Sequence, residues 1–143
     1  MVRRSEMSGQ TLTPEAYRKQ LSRARRLFAG LLVEEVCRDL LALVRNEHGA
    51  VDGGIHGWCW GGTAEVDLLW VHESMRGRGM GGSLLAAFEA EARRHGCTQV
   101  VLETFAFGPV AFYARRGYAE VGRTEGYPTG HAHHVLRKRL TAP

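Results

Sequence analysis

The chain has 143 residues, 44% apolar and 24% charged, which fits one folded domain of ordinary size. Its net charge of +4 suits an anionic partner, a nucleic acid or a phosphorylated cofactor, without choosing between them. No apolar run reaches the roughly eighteen residues of a membrane helix, and no apolar stretch follows the N-terminal arginines, which argues against membrane insertion and a secretory signal.

Cys37, Cys59 and Cys97 are odd in number and far apart. That pattern predicts unpaired thiols in a reducing, cytoplasmic setting. With no Cys-x-x-Cys pair, structural zinc is not expected.

Residues 1–12 are polar and lack alternation, so they read as a loose leader to a single domain spanning 13–143. Thr13-Pro14-Glu15 is a helix start, and Tyr17, Leu21, Ala24, Phe28 and Leu31 recur behind it at helical spacing. The basic residues between them read as a solvated face. A second short helix is expected over Val33–Arg38. Leu40–Val44 is a short apolar run that ends in a turn at Asn46–Gly49.

Ile55–Trp60 and Thr63–Val71 read as two strands joined at Gly61-Gly62. Strict alternation in the second puts Ala64, Val66, Leu68 and Trp70 on one face and Glu65, Asp67, Leu69 and Val71 on the other. Met80–His95 is a helix stopped by Gly96, and Thr98–Phe105 is a strand. Pro109–Arg116 is a short helix closed by Gly117. Tyr118–Gly122 and His134–Leu140 form a last strand pair across the loop at Gly126–Gly130.

The segment Val71–Gly82 joins a strand to a helix through closely spaced glycines. Glycines allow positive φ and close approach of a ligand, and a helix N-terminus presents unpaired N–H groups with partial positive charge. The combination suits a diphosphate, with Arg76 and Arg78 beside it. A nucleotide P-loop is excluded because no Gly-Lys-Ser/Thr follows. Gly77, Gly79 and Gly82 match the dinucleotide fingerprint, with Glu103 about where its ribose-binding acid would stand. Against that reading, His72–Arg76 separate the strand from the first glycine, and the chain has too few strand-helix-strand units for a doubly wound sheet.

Arg76-Gly77-Arg78-Gly79-Met80-Gly81 resembles the Arg/Gln-x-x-Gly-x-Gly/Ala hallmark of the GNAT N-acetyltransferase superfamily. About thirty residues later, Ala111–Tyr118 resembles that family's Phe-Tyr helix ending in Gly-Tyr. The resemblance runs from about Leu40 to Leu140 and implies an α/β fold, a mixed sheet flanked by helices and splayed after its central strand, here Thr63–Val71. Residues 1–12 look unsuited to the family's first strand, which implies a sheet lacking it, or one rebuilt or completed by a partner chain in a homodimer.

By resemblance, the chain is an acyl-CoA-dependent acetyltransferase that passes the acetyl group of acetyl-CoA directly to a primary amine. The acceptor, a small molecule or a protein, is not identified. The resemblance assigns the pantetheine arm to Leu69, Trp70 and Val71, and the diphosphate to Arg76, Gly77, Arg78, Gly79, Met80 and Gly81, continuing through Gly82 and Ser83. It makes Tyr113 the acid that protonates the departing sulfur, with Tyr118 as the alternative. Asp67 and Glu65 are candidate bases for the amine, Glu103 is a third carboxylate that could bind or deprotonate the acceptor, and His131 is a candidate acceptor contact. The family's asparagine after the next strand is replaced here by Thr104-Phe105-Ala106-Phe107. His131, His133 and His134 are not expected to bind metal, since neighbouring strand positions face opposite ways. No nucleic-acid or membrane partner is expected. A non-catalytic acyl-CoA-binding module is the competing reading.

Overall fold

The computed structural model describes Lys19, Ser22, residues 37–105 and residues 108–141. Lys19 and Ser22 are helical. The leader, the rest of the first expected helix and residues 33–36 of the second lie outside the described residues, as do Ala106 and Phe107. Arg38, expected to end a helix, instead begins a strand.

From Arg38 onward the described residues form one six-stranded sheet with two α-helices. Strands β1 (Arg38–Arg45), β2 (Val51–Trp60) and β3 (Thr63–Val71) make an antiparallel meander. Helix α1 (Met80–Arg94) crosses over to β4 (Gln99–Phe105), which runs parallel to β3. The short helix α2 (Val110–Ala114) leads to β5 (Ala119–Thr124), and β6 (His133–Arg139) inserts between β4 and β5. The order is β1-β2-β3-β4-β6-β5. No helix among the described residues is long and apolar enough to cross a membrane.

The expected apolar run at Leu40–Val44 is the core of β1, and its alternation shows which face is buried. Leu40 is buried and Ala42 and Val44 pack on the core, while Leu41 and Leu43 are exposed. Helix α1 lays Leu84, Leu85, Phe88 and Ala92 against that face, on Ile55, Ala64, Val66, Val100 and Leu102. The helix ends as its sequence predicts: Gly96 takes φ +83°, a left-handed stop. Cys59 and Cys97 lie buried in this core, and burial pushes the Cys97 thiol up to about 11.

The expected alternation of β3 holds only for its first half. Gly57 faces Val66 and His56 faces Leu68, so Asp67 is an extra residue without a register partner on β2. This β-bulge reverses the phase of the strand. Ala64 and Val66 are buried before it, and Leu69 and Val71 pack on the core after it. Leu68 and Trp70, expected beside Val66, turn out instead, 43% and 40% exposed.

Candidate active site

The bulge also ends the pairing of β3 with β4. The two strands are in register from Thr63–Gln99 to Val66–Leu102, and no further. Beyond that point β3 stays paired with β2 as far as Val71, while Glu103–Phe105 stay paired with β6. The sheet therefore splits between Asp67–Val71 and Glu103–Phe105. The split lies at the C-terminal ends of two parallel strands, where α1 and α2 begin, the place where open α/β sheets leave a crevice.

Hydrogen-bond phase decides which peptide groups face the split. His72 N–H donates to Asp52 C=O at 2.7 Å. Given the register, Leu68 and Trp70 exchange bonds with β2, while the peptide groups of Leu69 and Val71 point away from β2 into the gap. Trp70, expected to hold a ligand through its backbone, has only its side chain to offer, which stands edge-on to His72 at 6.0 Å. The Val71 carbonyl already accepts from Arg76 Nε at 3.1 Å. Asp67 is exposed as a residue although its side chain is only 18% exposed, so its exposed surface is largely main chain.

The glycine turn divides its labour residue by residue. Gly77 (φ +75°) and Gly79 (φ +81°) adopt left-handed conformations, and a Cβ on either would meet nothing within 4 Å. They are needed for chain direction, with open space above them. Gly81 and Gly82 are needed for packing. A Cβ on Gly82 would lie 2.7 Å from the Arg116 guanidinium, and one on Gly81 would lie 3.3 Å from the Phe112 ring. Arg116 itself stacks on Phe112 at 3.7 Å, so the two small residues let α2 close on the start of α1.

No side chain caps α1, and its first turn closes with Ser83 N–H on Gly79 C=O at 3.0 Å. Among the described residues, the amides from Gly77 to Gly82 have no acceptor. Two expected members of this cradle are excluded as amide donors: Arg76 N–H is bonded to Glu73 C=O and Ser83 N–H to Gly79. The Arg76 side chain straps the turn to the end of β3, whereas Arg78 is exposed.

Tyr113 and Tyr118 are both buried, with rings 5.7 Å apart. Their hydroxyls differ. Tyr118 donates to the buried Glu89 carboxylate at 3.0 Å, and Lys138 Nζ closes the network on Glu89 at 2.8 Å. Tyr118 is thus committed to holding β5 onto α1. The Tyr113 hydroxyl has no hydrogen bond among the described residues. Burial raises its pKa, so it stays protonated at neutral pH.

Tyr118 is raised too, by burial first and by the Glu89 charge second. The unfolded phenols ionise first, near pH 10, while the folded ones hold their protons. Unfolding free energy is therefore expected to be unaffected by these groups below about pH 9, and to fall above about pH 10 by up to ~1.4 kcal/mol per pH unit for each phenol. Denaturant titrations from pH 7 to 11 check this, and Tyr118→Phe should flatten the slope.

The carboxylates fall into two groups. Asp67 Oδ2 lies 3.4 Å from His56 Nδ1, and Asp39 Oδ1 lies 3.8 Å from His56 Nε2. His56 was not singled out in the sequence, although a histidine inside an otherwise apolar strand next to the central one was the available signal. Glu65 sits opposite Trp58, on the face away from α1. Glu103 meets His133 at 3.4 Å at the far side of the split. His134 faces the other way and bonds Glu120, and His131 lies just before β6. Among the described residues no three His, Cys, Asp or Glu side chains converge as metal ligands would.

The family description "Acetyltransferase (GNAT) domain" matches residues 38–120, from β1 through α2 into β5. The chain belongs to the GNAT acetyltransferase family. A relative from Streptomyces morookaense, blasticidin-S acetyltransferase, is 41% identical over 99 residues, 66% of this chain and 71% of the relative. An acetyltransferase from Bacillus cereus ATCC 14579, solved by crystallography, superposes with TM-score 0.72 at 29% identity, covering 95% of this chain and 99% of that one. A more distant GNAT-fold structure, from Bacillus anthracis, was solved in complex with acetyl coenzyme A. It shares 19% identity and TM-score 0.64, over 73% of this chain and 64% of that one. The protein is an acyl-CoA-dependent acetyltransferase.

Proposed function

We propose that this GNAT protein transfers the acetyl group of acetyl-CoA directly to a primary amine of a small molecule. The observation that supports this best is the juxtaposition of an unpaired β3 edge with a turn whose amides from Gly77 to Gly82 lack acceptors. The peptide groups of Leu69 and Val71 suit the amide-bearing pantetheine arm, which would extend the sheet as an added strand. The amides of Gly77–Gly82 and the positive end of α1 suit the diphosphate, with Arg78 alongside. A small-molecule acceptor is supported by the relative named for blasticidin S.

The reacting groups then have assignable roles. The amine nitrogen attacks the thioester carbon, forming a C–N bond as the C–S bond breaks. As the thioester oxygen gains charge in the split, a main-chain N–H at its border would stabilise it. Asp67, braced by His56, or Glu65 acting through water, takes the proton released by the amine. Tyr113 gives its proton to the departing sulfur. The rest of the acceleration comes from holding two substrates together in one crevice.

Calorimetry with acetyl-CoA and thiol release with simple amines test this reading. Acetyl-CoA binding without thiol release would leave only an acyl-CoA-binding module. Gly79→Ala must hold a Cβ at φ +81°, a strain of about 1–2 kcal/mol. Because that Cβ meets nothing, the fold should survive while acetyl-CoA binds roughly tenfold more weakly. An unchanged Kd would remove the turn from the cofactor site.

A further inference from the structure

One cluster beside the split is not used by the acyl-CoA reading. It lies on the face of the sheet turned away from α1, where β4 ends and β6 begins. Phe105, the last residue of β4, stands directly across from His133, the first of β6. Their rings are 5.0 Å apart. Tyr127, from the loop before β6, closes edge-on against Phe105 at 5.0 Å and lies 6.2 Å from His133. Glu103, two residues back on β4, shares this face and reaches His133 at 3.4 Å.

We propose that these four residues form the acceptor subsite, and that the acceptor is a small amine carrying a second positive charge next to a flat apolar group. The inference rests on the acetyltransferase reading above.

Three features carry it. The first is charge. Glu103 is 56% exposed, and its ion-pair partner among the described residues is an imidazole rather than a permanent cation such as Lys or Arg. In a chain of net charge +4, this carboxylate is placed to attract a cation beside the crevice. The second is the rings. Tyr127 is 37% exposed, and its ring with those of Phe105 and His133 makes a partly open aromatic wall. Aromatic faces attract cations and flat groups within about 6 Å. A neutral tail would cover the carboxylate without compensating its lost water.

The third feature is spacing. The last β3–β4 pair is Val66–Leu102, so the bulge at Asp67 is level with Glu103, and Phe105 stands about 7 Å further along the strand. An amine reacting beside Asp67 would place a second charge, roughly 5–10 Å away, between Glu103 and the rings. His131 lies at the same strand end, just before His133.

The test compares matched acceptors with the full chain and saturating acetyl-CoA, following thiol release. The pairs are 4-(aminomethyl)benzylamine against benzylamine, and hexane-1,6-diamine against hexylamine. Each diamine is expected to exceed its monoamine in kcat/KM by about tenfold or more, mainly through KM, a difference of about 1.4 kcal/mol. Glu103→Gln should collapse that ratio to within about twofold, and Tyr127→Leu should lower kcat/KM for the aryl diamine more than for the alkyl one. Equal rates for diamine and monoamine, or a preference that persists in Glu103→Gln, would overturn the subsite while leaving acetyl transfer intact. Acetyl-CoA binding with no thiol release from any amine would overturn the transfer reading, and this inference with it.

Discussion

Replacing Tyr113 by Phe is expected to lower kcat about 10²–10⁴-fold, the range typical of losing a positioned general acid. The KM for acetyl-CoA should change little, because among the described residues the hydroxyl makes no hydrogen bond to the glycine turn. Stability should also hold. The ring is 6% exposed and packs against Phe112 at 5.1 Å and Tyr118 at 5.7 Å, contacts that Phe retains. The hydroxyl breaks no hydrogen bond among the described residues when it is removed. Tyr118→Phe is the matching control. It strips the buried Glu89 of a donor and should lower the melting temperature while sparing most of kcat. Steady-state kinetics and thermal unfolding of both variants check the pair. An unchanged kcat in Tyr113→Phe would remove that residue from the acid role.

Gly57→Ala is expected to cost about 3 kcal/mol or more, the upper range for overpacking a filled core. A Cβ at this buried position would lie 2.0 Å from the Glu65 carbonyl and 2.8 Å from the Phe88 ring. Backbone cannot yield there without parting β2 from β3. Gly57 is also the register partner of Val66, the residue just before the bulge, so whatever folds should carry a displaced Asp67. With total stabilities of about 5–15 kcal/mol usual for domains, this change consumes a large share. Gly49→Ala is the comparison. Its Cβ would meet nothing within 4 Å, so only the left-handed φ of +81° is penalised, by about 1–2 kcal/mol. Denaturant midpoints measure both.

The order of elements was legible because it follows from local chemistry. Glycine stops at Gly96 and Gly117 and the turn at Gly61-Gly62 bracket apolar patterns of clear period. The position of the glycine turn between β3 and α1 was legible for the same reason. What stayed hidden depends on partner strands. Nothing in Val66-Asp67-Leu68-Leu69 announces an extra residue, because a bulge is defined only by the register of β2. That residue reversed the faces of Leu68–Val71 and turned the peptide groups of Trp70 away from the split.

The glycines show the same limit. Gly77, Gly79, Gly81 and Gly82 look alike in sequence, yet two serve backbone direction and two the close approach of α2. Arg76 reads as a phosphate-binding cation, but its Nε holds the end of β3. The pairing of His56 with Asp67 joins β2 to the bulge of β3, and only the folded sheet brings them together.

Amide hydrogen exchange of the full chain, with and without saturating acetyl-CoA, tests the central claim most directly. The account predicts slowed exchange at Leu69 and Val71 and across Gly77–Gly82, with Trp70, already bonded to β2, slow in both states. Acetyl-CoA binding that protects other segments, and leaves the β3 edge and the glycine turn exchanging as before, would contradict it.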